Sequence, residues 1–358
     1  MRAIVFADSH IGEYLEGHID PQTGLNTRLM DTLDVWTWIH RLAHEKKTDL
    51  VIFAGDRFRL KRPPAWVRDL ADERLIPFER DNIPLFLLLG NHDMYDKAGR
   101  WNSYGGVKTW GTSGKMLVFD QPSGTDFGGV HFQFLPFGYD AKLSFTKMDK
   151  NSPNVLVFHD SVIGCSKYQN ILSREGIIQE DIDRPEFALC LGGHVHLKQE
   201  LNFKNTTALH IGSPLERIED GDQGRKGALI VDFNGSDIEM EFVESPLPRI
   251  VRATHDWSGD IEAALAIPNI EYNIVQLVVT YVSSIPNGLR RELMKKIIER
   301  GAAAADVRMQ SEFKLIGGEE VNIKPMPLRE EAVEWVRQTT KDENLAALAA
   351  KVIQRSGK

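Results

Sequence analysis

The chain has 358 residues, with 43 Lys and Arg against 51 Asp and Glu, a net charge of −8 at pH 7. Its 42% hydrophobic and 26% charged content is that of globular domains, which excludes disorder, collagen and coiled coil as the main class and leaves room for two or three domains. As a whole-chain average, the excess of acid argues against nucleic acid as a partner.

The run RAIVFA (2–7) is short, apolar and β-branched and reads as a buried strand. Leu29, Leu33, Trp36, Ile39 and Leu42 recur at helical spacing over 28–46. DLVIFAG (49–55) is a second buried strand, 63–80 a helix with proline at its start, and PLFLLLG (84–90) a third strand. Strands alternating with helices at this pitch imply βαβ units and a largely parallel sheet. Further strands are predicted at 115–119, 130–136, 154–159 and 187–192, then shorter ones at 197–203, 206–211, 227–233 and 237–243. SPLPR (245–249) marks a boundary. Beyond it come a strand at 273–282, a helix at 288–301 and an alternating strand at 307–315, a small α+β domain. After the link IKPMP (323–327), residues 328–355 read as helices carrying Trp335, Val336, Leu345, Leu348 and Val352. The expected organisation is therefore 1–247, 248–322 and 323–358. No apolar run approaches the ~18–20 residues that span a bilayer. With an acid as early as Asp8 and only two cysteines, Cys165 and Cys190, a soluble chain in a reducing cytoplasm is expected.

The chemistry sits at the strand tips. The first strand ends in Asp8-Ser9-His10, the second in Gly55-Asp56, the third in Gly90-Asn91-His92-Asp93. Later ones end in His159-Asp160 and in Gly192-Gly193-His194-Val195-His196. Ligands bind at the carboxyl ends of strands in open α/β sheets. Taken singly each motif has a plainer reading: Asp-x-His and Gly-Asp are common turn or cap chemistry, and a lone His159 would be a satisfied core histidine. Taken together, five of the eleven histidines fall in these tips. A mixed nitrogen and oxygen set suits manganese, iron or zinc, and seven ligands suit two ions sharing a carboxylate.

This order of motifs resembles the calcineurin-like metallophosphoesterase superfamily over residues 1 to about 200, and within it the SbcD-type DNA nuclease subunits of recombination and repair complexes. The segment IGSPLERIEDGDQGRKGALIVDF (211–233) resembles the block that closes the nuclease domain of those subunits. The resemblance implies an α/β fold, a β-sandwich of two mixed sheets flanked by helices, with a small α+β DNA-binding cap and C-terminal helices that dock on an SbcC-like coiled-coil ATPase. It assigns one divalent ion to Asp8, His10, Asp56 and His196, and a second to Asp56, Asn91, His159 and His194, with Asp56 bridging. Manganese is the implied metal, with magnesium as the alternative. His92 becomes the general acid or phosphate contact, oriented by Asp93. Where many members have a second catalytic His, the motif here reads GDRFR and places Arg59, which can bind phosphate bidentately but cannot transfer a proton at neutral pH. Protein Ser/Thr phosphatases read G-D-x-V-D-R-G and G-N-H-E, and purple acid phosphatases place Tyr at the Arg59 position; this chain has neither pattern.

Residues 57–68 and 97–119 carry Arg and Lys but no acid, and both follow metal motifs. A basic rim interleaved with aromatics suits a nucleic-acid backbone, with Arg57, Lys61, Arg62, Lys97, Arg100, Trp101 and Lys108 as the expected DNA contacts. Read by location, the net charge no longer opposes DNA. A helix over 64–78 with Trp66, Leu70 and Leu75 is the expected homodimer contact. Two other readings stay open: a phosphodiesterase or phosphatase for a small substrate using the same site, and a non-catalytic DNA-end tether.

Overall fold

A computed structural model describes residues 1–311 other than 16, 97–100, 111–113, 146–147, 150, 169–170, 218–223, 236 and 283–284. The first four buried runs become β1 (Arg2–Phe6), β2 (Leu50–Phe53), β3 (Leu85–Leu88) and β4 (Met116–Phe119), side by side and parallel. Two later strands, β13 (Gly227–Asn234) and β14 (Asp237–Glu244), extend this sheet antiparallel beyond β1. A second sheet has the order β11 (Gln199–Leu201), β12 (Thr207–His210), β10 (Leu189–Gly193), β7 (Asn154–His159), β6 (Val130–Leu135) and β5 (Ser123–Phe127). β8 (Ser166–Tyr168) and β9 (Ile171–Leu172) form a small ribbon.

Side-chain parity decides which core each strand residue joins. Ala3, Val5 and Ala7 meet Leu50, Ile52, Phe132, Val155, Val157 and Leu191 between the two sheets. Ile4 and Phe6 point the other way, onto Leu33, Trp36 and Ile39 of α1 (Thr27–Glu45). Leu156, Phe158 and Cys190 form a third core with Phe187 and with Ile182 of α6 (Gln179–Ile182). The strands are thus buried on both faces, which is why they read as continuous apolar runs. The α1 start is fixed by Asn26, whose side chain accepts from the amides of Arg28 and Leu29 at 3.0 and 3.1 Å. Short helices α4 (Gly105–Trp110) and α5 (Ala141–Ser144) follow β3 and β6.

Two expectations are corrected. The single helix over 63–80 is two, α2 (Ala65–Glu73) and α3 (Ile76–Arg80). Pro77 lacks an amide hydrogen and is tolerated only in the first turn of a new helix, so the chain breaks before it. β5 was not expected at all, because SGTDF lacks an apolar run; it forms as an edge strand on β6.

Beyond SPLPR, β15 (Ile250–Asp256), β16 (Ile274–Tyr281) and β17 (Ala304–Ser311) make a parallel three-stranded sheet. The crossovers α7 (Ile261–Ala264) and α8 (Leu289–Glu299) cover it around Leu265, Val275, Leu277, Leu293 and Ile297. Its first strand is tied to the sandwich by buried Glu216, which accepts from the Ile250 amide at 3.1 Å and pairs with Arg252. The remainder of the expected 307–315 strand and the helices of 323–358 lie outside the described residues. No helix among the described residues is long and apolar enough to cross a membrane.

Candidate metal centre

The carboxyl ends of β1, β2, β3, β7 and β10 converge, and the tip loops there take unusual backbone conformations. Eight non-glycine residues among those described have positive φ, and four are expected ligands: Asp8 (56°), His10 (44°), Asp56 (62°) and His194 (75°). Such conformations cost about 1–3 kcal/mol each and persist where the surroundings impose them, most often at functional sites. The preceding glycines are required for space. A Cβ on Gly90 would lie 2.2 Å from Asp56 Oδ1, and one on Gly55 would lie 2.2 Å from His159 Nδ1. The glycines of the G-D and G-N motifs are therefore close-approach devices for ligands arriving from neighbouring strands, His159 over Gly55 and Asp56 over Gly90.

All seven expected ligands come together in two groups. Asp8, His10 and His196 form one and Asp56, His159 and His194 the other. The Nε2 atoms of His10 and His196 are 3.0 Å apart, each 3.8 Å from Asp8 Oδ1. Asn91 Oδ1 lies 2.9 Å from His194 Nδ1. Asp56 spans the groups: its Oδ2 is 3.7 Å from His10 Nε2 and its Oδ1 is 3.3 Å from His159 Nε2. His159 Nδ1 donates to the Ala54 carbonyl at 2.6 Å, which turns Nε2 toward Asp56. That buried Nε2 has no hydrogen bond of good geometry.

Electrostatics fit the same reading. Burial opposes charge on His159, yet the facing Asp56 carboxylate raises its pKa to about 10. Burial would raise Asp56, but the imidazoles of His159 and His10 hold it well below the usual carboxylate range. Burial lowers His10, with Arg217 adding to the effect, so its ring is neutral with one nitrogen lone pair to offer. Burial raises Asp8. Two buried carboxylates facing four imidazoles and a carboxamide are a donor set for two divalent cations, which take the place of the proton on His159.

His92 closes the site. Its amide donates to Asp56 Oδ1 at 2.8 Å, and its Nδ1 lies 2.6 Å from the Arg59 carbonyl. Nε2 is therefore the nitrogen free to work in a cavity of 270 Å³ lined by His10, Asp56, Asn91, His92, His194, Val195, His196 and Arg217. His92 also falls within ligand reach of His10 and Asp56.

The expected pairing of Asp93 with His92 is corrected. Asp93 is fully buried beneath the site and accepts from the amides of Asp56 (2.9 Å), Gly90 (3.0 Å) and Arg57 (3.0 Å), stapling two ligand loops together. Burial and the neighbouring Asp56 push its carboxyl up to about 7 against those donors. Asp93→Ala leaves three buried amides unmade, so a stability loss of about 3 kcal/mol or more is expected at ~1–3 kcal/mol each, read as a lower urea midpoint. Arg59 serves His92 through its carbonyl; its guanidinium donates to the Glu13 carbonyl at 2.9 Å and lies over the Tyr14 ring.

Of the expected DNA contacts, Arg57 is corrected outright. Its side chain is fully buried, paired with Asp72 at 2.8 Å and packed against Trp36, Phe58 and Tyr104. It is a core cation and presents no charge to a backbone. Lys61 lines a 460 Å³ recess with Asn91, Tyr95 and Phe137, next to the ligands. Arg62 lies over Tyr95, and Trp101 is 71% exposed. Lys97, Arg100 and the Lys108 side chain lie outside the described residues.

Two contributors were not expected as site residues. Arg217 lines the cavity, with Nη2 2.9 Å from His196 Nδ1. Lys226, buried, donates to the His196 carbonyl at 2.8 Å and holds the His-x-His loop. Their signal was the Glu-Arg and Lys-Gly pairs of 211–233, read only as a domain closure.

Comparison with known proteins matches residues 1–198 to the calcineurin-like phosphoesterase family. A DNA double-strand break repair protein Mre11 of Methanococcus maripaludis is 24% identical over 287 residues, 73% of this chain and 73% of that one. One of Methanopyrus kandleri is 24% identical over 334 residues, 87% of this chain and 70% of that one. SbcD, a component of the SbcCD nuclease of Bacillus subtilis, is 25% identical over 251 residues, 60% of this chain and 62% of that one.

Proposed function

The chain belongs to the calcineurin-like phosphoesterase family, and from that premise we propose that it is a metal-dependent DNA nuclease subunit acting on DNA ends in recombination and repair. The observation that carries the hydrolytic part is Asp56, set between two ligand groups with His92 above it. The relatives named as break-repair proteins and as a nuclease component support DNA as the substrate.

When bound, two divalent ions supply an activated water and neutralise phosphodiester charge. Asp8, His10, Asp56 and His196 would hold one, and Asp56, Asn91, His159 and His194 the other. The mixed nitrogen and oxygen donor set suits manganese, iron or zinc; the resemblance to SbcD-type nucleases makes manganese the proposed metal, with magnesium as the alternative. Asp93 fixes the spacing of the Asp56 and Asn91 loops. The Arg59 carbonyl fixes the His92 ring so that Nε2 delivers a proton to the departing ribose oxygen. Arg217 adds a cation on the cavity wall. Lys61, Arg62 and Trp101 flank the site and receive the DNA backbone, an interaction weakened by salt. Lys97, Arg100 and Lys108 are proposed to extend that rim.

We assign 1–247 to the nuclease domain, 248–322 to a DNA-binding cap and 323–358 to helices that dock on an SbcC-like coiled-coil ATPase. Trp66, 42% exposed on α2, and Ile76 at the start of α3 offer an apolar homodimer contact, whereas Leu75 is spent in the core. The working compartment is cytoplasmic.

The test compares manganese-dependent cleavage of linear duplex DNA, with and without the ATPase and ATP, against hydrolysis of a small aryl phosphodiester. Specific activity on DNA is expected to exceed that on the ester and to rise with the ATPase. Ester hydrolysis with no cleavage of DNA under any condition would support the small-substrate reading instead.

A further inference from the structure

A second cluster of ligating side chains lies away from the centre just described. His40 and His44 stand one turn apart on α1, with ring centroids 4.8 Å from each other. Both Nε2 atoms lie 2.9 Å from the same oxygen, Oδ2 of Asp81, in the turn between α3 and β3. The carboxylate is already oriented, because Arg80 Nε donates to its Oδ1 at 2.7 Å, with Arg80 Nη2 3.2 Å from Oδ2. His40 is also fixed: its side chain is 17% exposed and its ring rests on Phe78 at 5.1 Å. His44, at 53%, leaves one side open to solvent.

We propose that His40, His44 and Asp81 are a separate site for one zinc-class divalent cation, with water completing the coordination. Two imidazoles and a carboxylate are a common zinc donor set. A tetrahedral ion with ~2.0–2.1 Å bonds needs donors about 3.3 Å apart, so the two 2.9 Å histidine–carboxylate separations open by only a few tenths of an ångström. Arg80 keeps its Nε contact to Oδ1 while Oδ2 turns to the ion. The site is distinct from the dinuclear centre by topology. Asp8 and Asp56 follow the carboxyl ends of β1 and β2, whereas Asp81 precedes the amino end of β3 and His44 precedes that of β2. An ion here clamps α1 to the α3–β3 turn and stabilises the folded chain by mass action.

The experiment titrates Zn²⁺ into the metal-stripped full chain, followed by calorimetry and thermal melting. Asp56→Asn serves as the background, since it removes the shared ligand of the dinuclear centre. In that background a zinc-induced rise in melting temperature is expected to persist. Adding His44→Ala, an exposed position that does not threaten folding, should lower that rise by the contribution of one zinc equivalent, leaving only what an ion retained at the dinuclear centre supplies. It should also weaken one zinc equivalent at least about 100-fold, beyond the 10–100-fold seen when only an orienting partner is lost. Adding Asp81→Asn, which keeps hydrogen bonding but loses the charge, should do the same. His44→Ala alone should leave manganese-dependent hydrolysis unchanged. Identical zinc binding and identical melting with and without His44→Ala would overturn the proposal.

Discussion

Asp56→Asn is expected to take metal-dependent hydrolysis down to background and to reduce the tightly bound divalent ions from two per chain to at most one. Asp56 faces both ligand groups, with Oδ2 toward His10 and Oδ1 toward His159. Asn fits the backbone, because φ of 62° is a left-handed conformation that Asn adopts more readily than most residues. The substitution therefore removes a charge and a bridging oxygen and leaves the loop in place. Ions in such a site supply several kcal/mol of charge stabilisation, which corresponds to a rate factor of about 10³–10⁴. His159 loses the carboxylate that raises its pKa to about 10, so in the metal-free variant its buried ring gives up the proton and the pair with Asp56 is lost. Metal counting by mass spectrometry, with activity on DNA, checks the result. Two retained ions and activity within tenfold of the parent would remove Asp56 from the bridging position.

The convergence of the expected ligands was legible because they sit at the ends of apolar runs, and parallel strands bring their carboxyl ends to one edge. Asp8, Asp56, Asn91 and His159 come from four different strands, yet the strand-end rule placed all of them without any long-range information. What surrounds the ligands was less legible, for physical reasons. The resemblance implied that Asp93 orients His92; the side chain points instead under the loop to three amides, a partnership set by tertiary folding. Arg57 sits in a run of five cations, and composition cannot say which of them the fold turns inward against Trp36. Arg217 and Lys226 reach the site from more than twenty residues past the last ligand motif, with no periodicity to announce them. The break between α2 and α3 falls at Pro77, inside a stretch whose apolar spacing otherwise runs on as one helix. Local pattern thus reads what strands and turns impose, and underreads buried polar partnerships between distant segments.

His92→Gln separates chemistry from assembly at this site. Gln can still donate to the Arg59 carbonyl and leaves the seven ligands untouched, so metal content and DNA binding should match the parent. It has no group that transfers a proton. If Nε2 of His92 protonates the departing ribose oxygen, cleavage of DNA should fall by about 10²–10⁴. An aryl phosphodiester with a nitrophenolate leaving group needs no such proton, because that anion departs unassisted. On this ester the loss should shrink to less than about tenfold, the residue of whatever phosphate contact the ring also makes. The ratio of the two losses is the diagnostic quantity. Equal losses on both substrates would make His92 a phosphate contact or a third ligand, as its reach to His10 and Asp56 allows. Unchanged cleavage of DNA would dismiss both roles and move the proton donor to another group on the cavity wall.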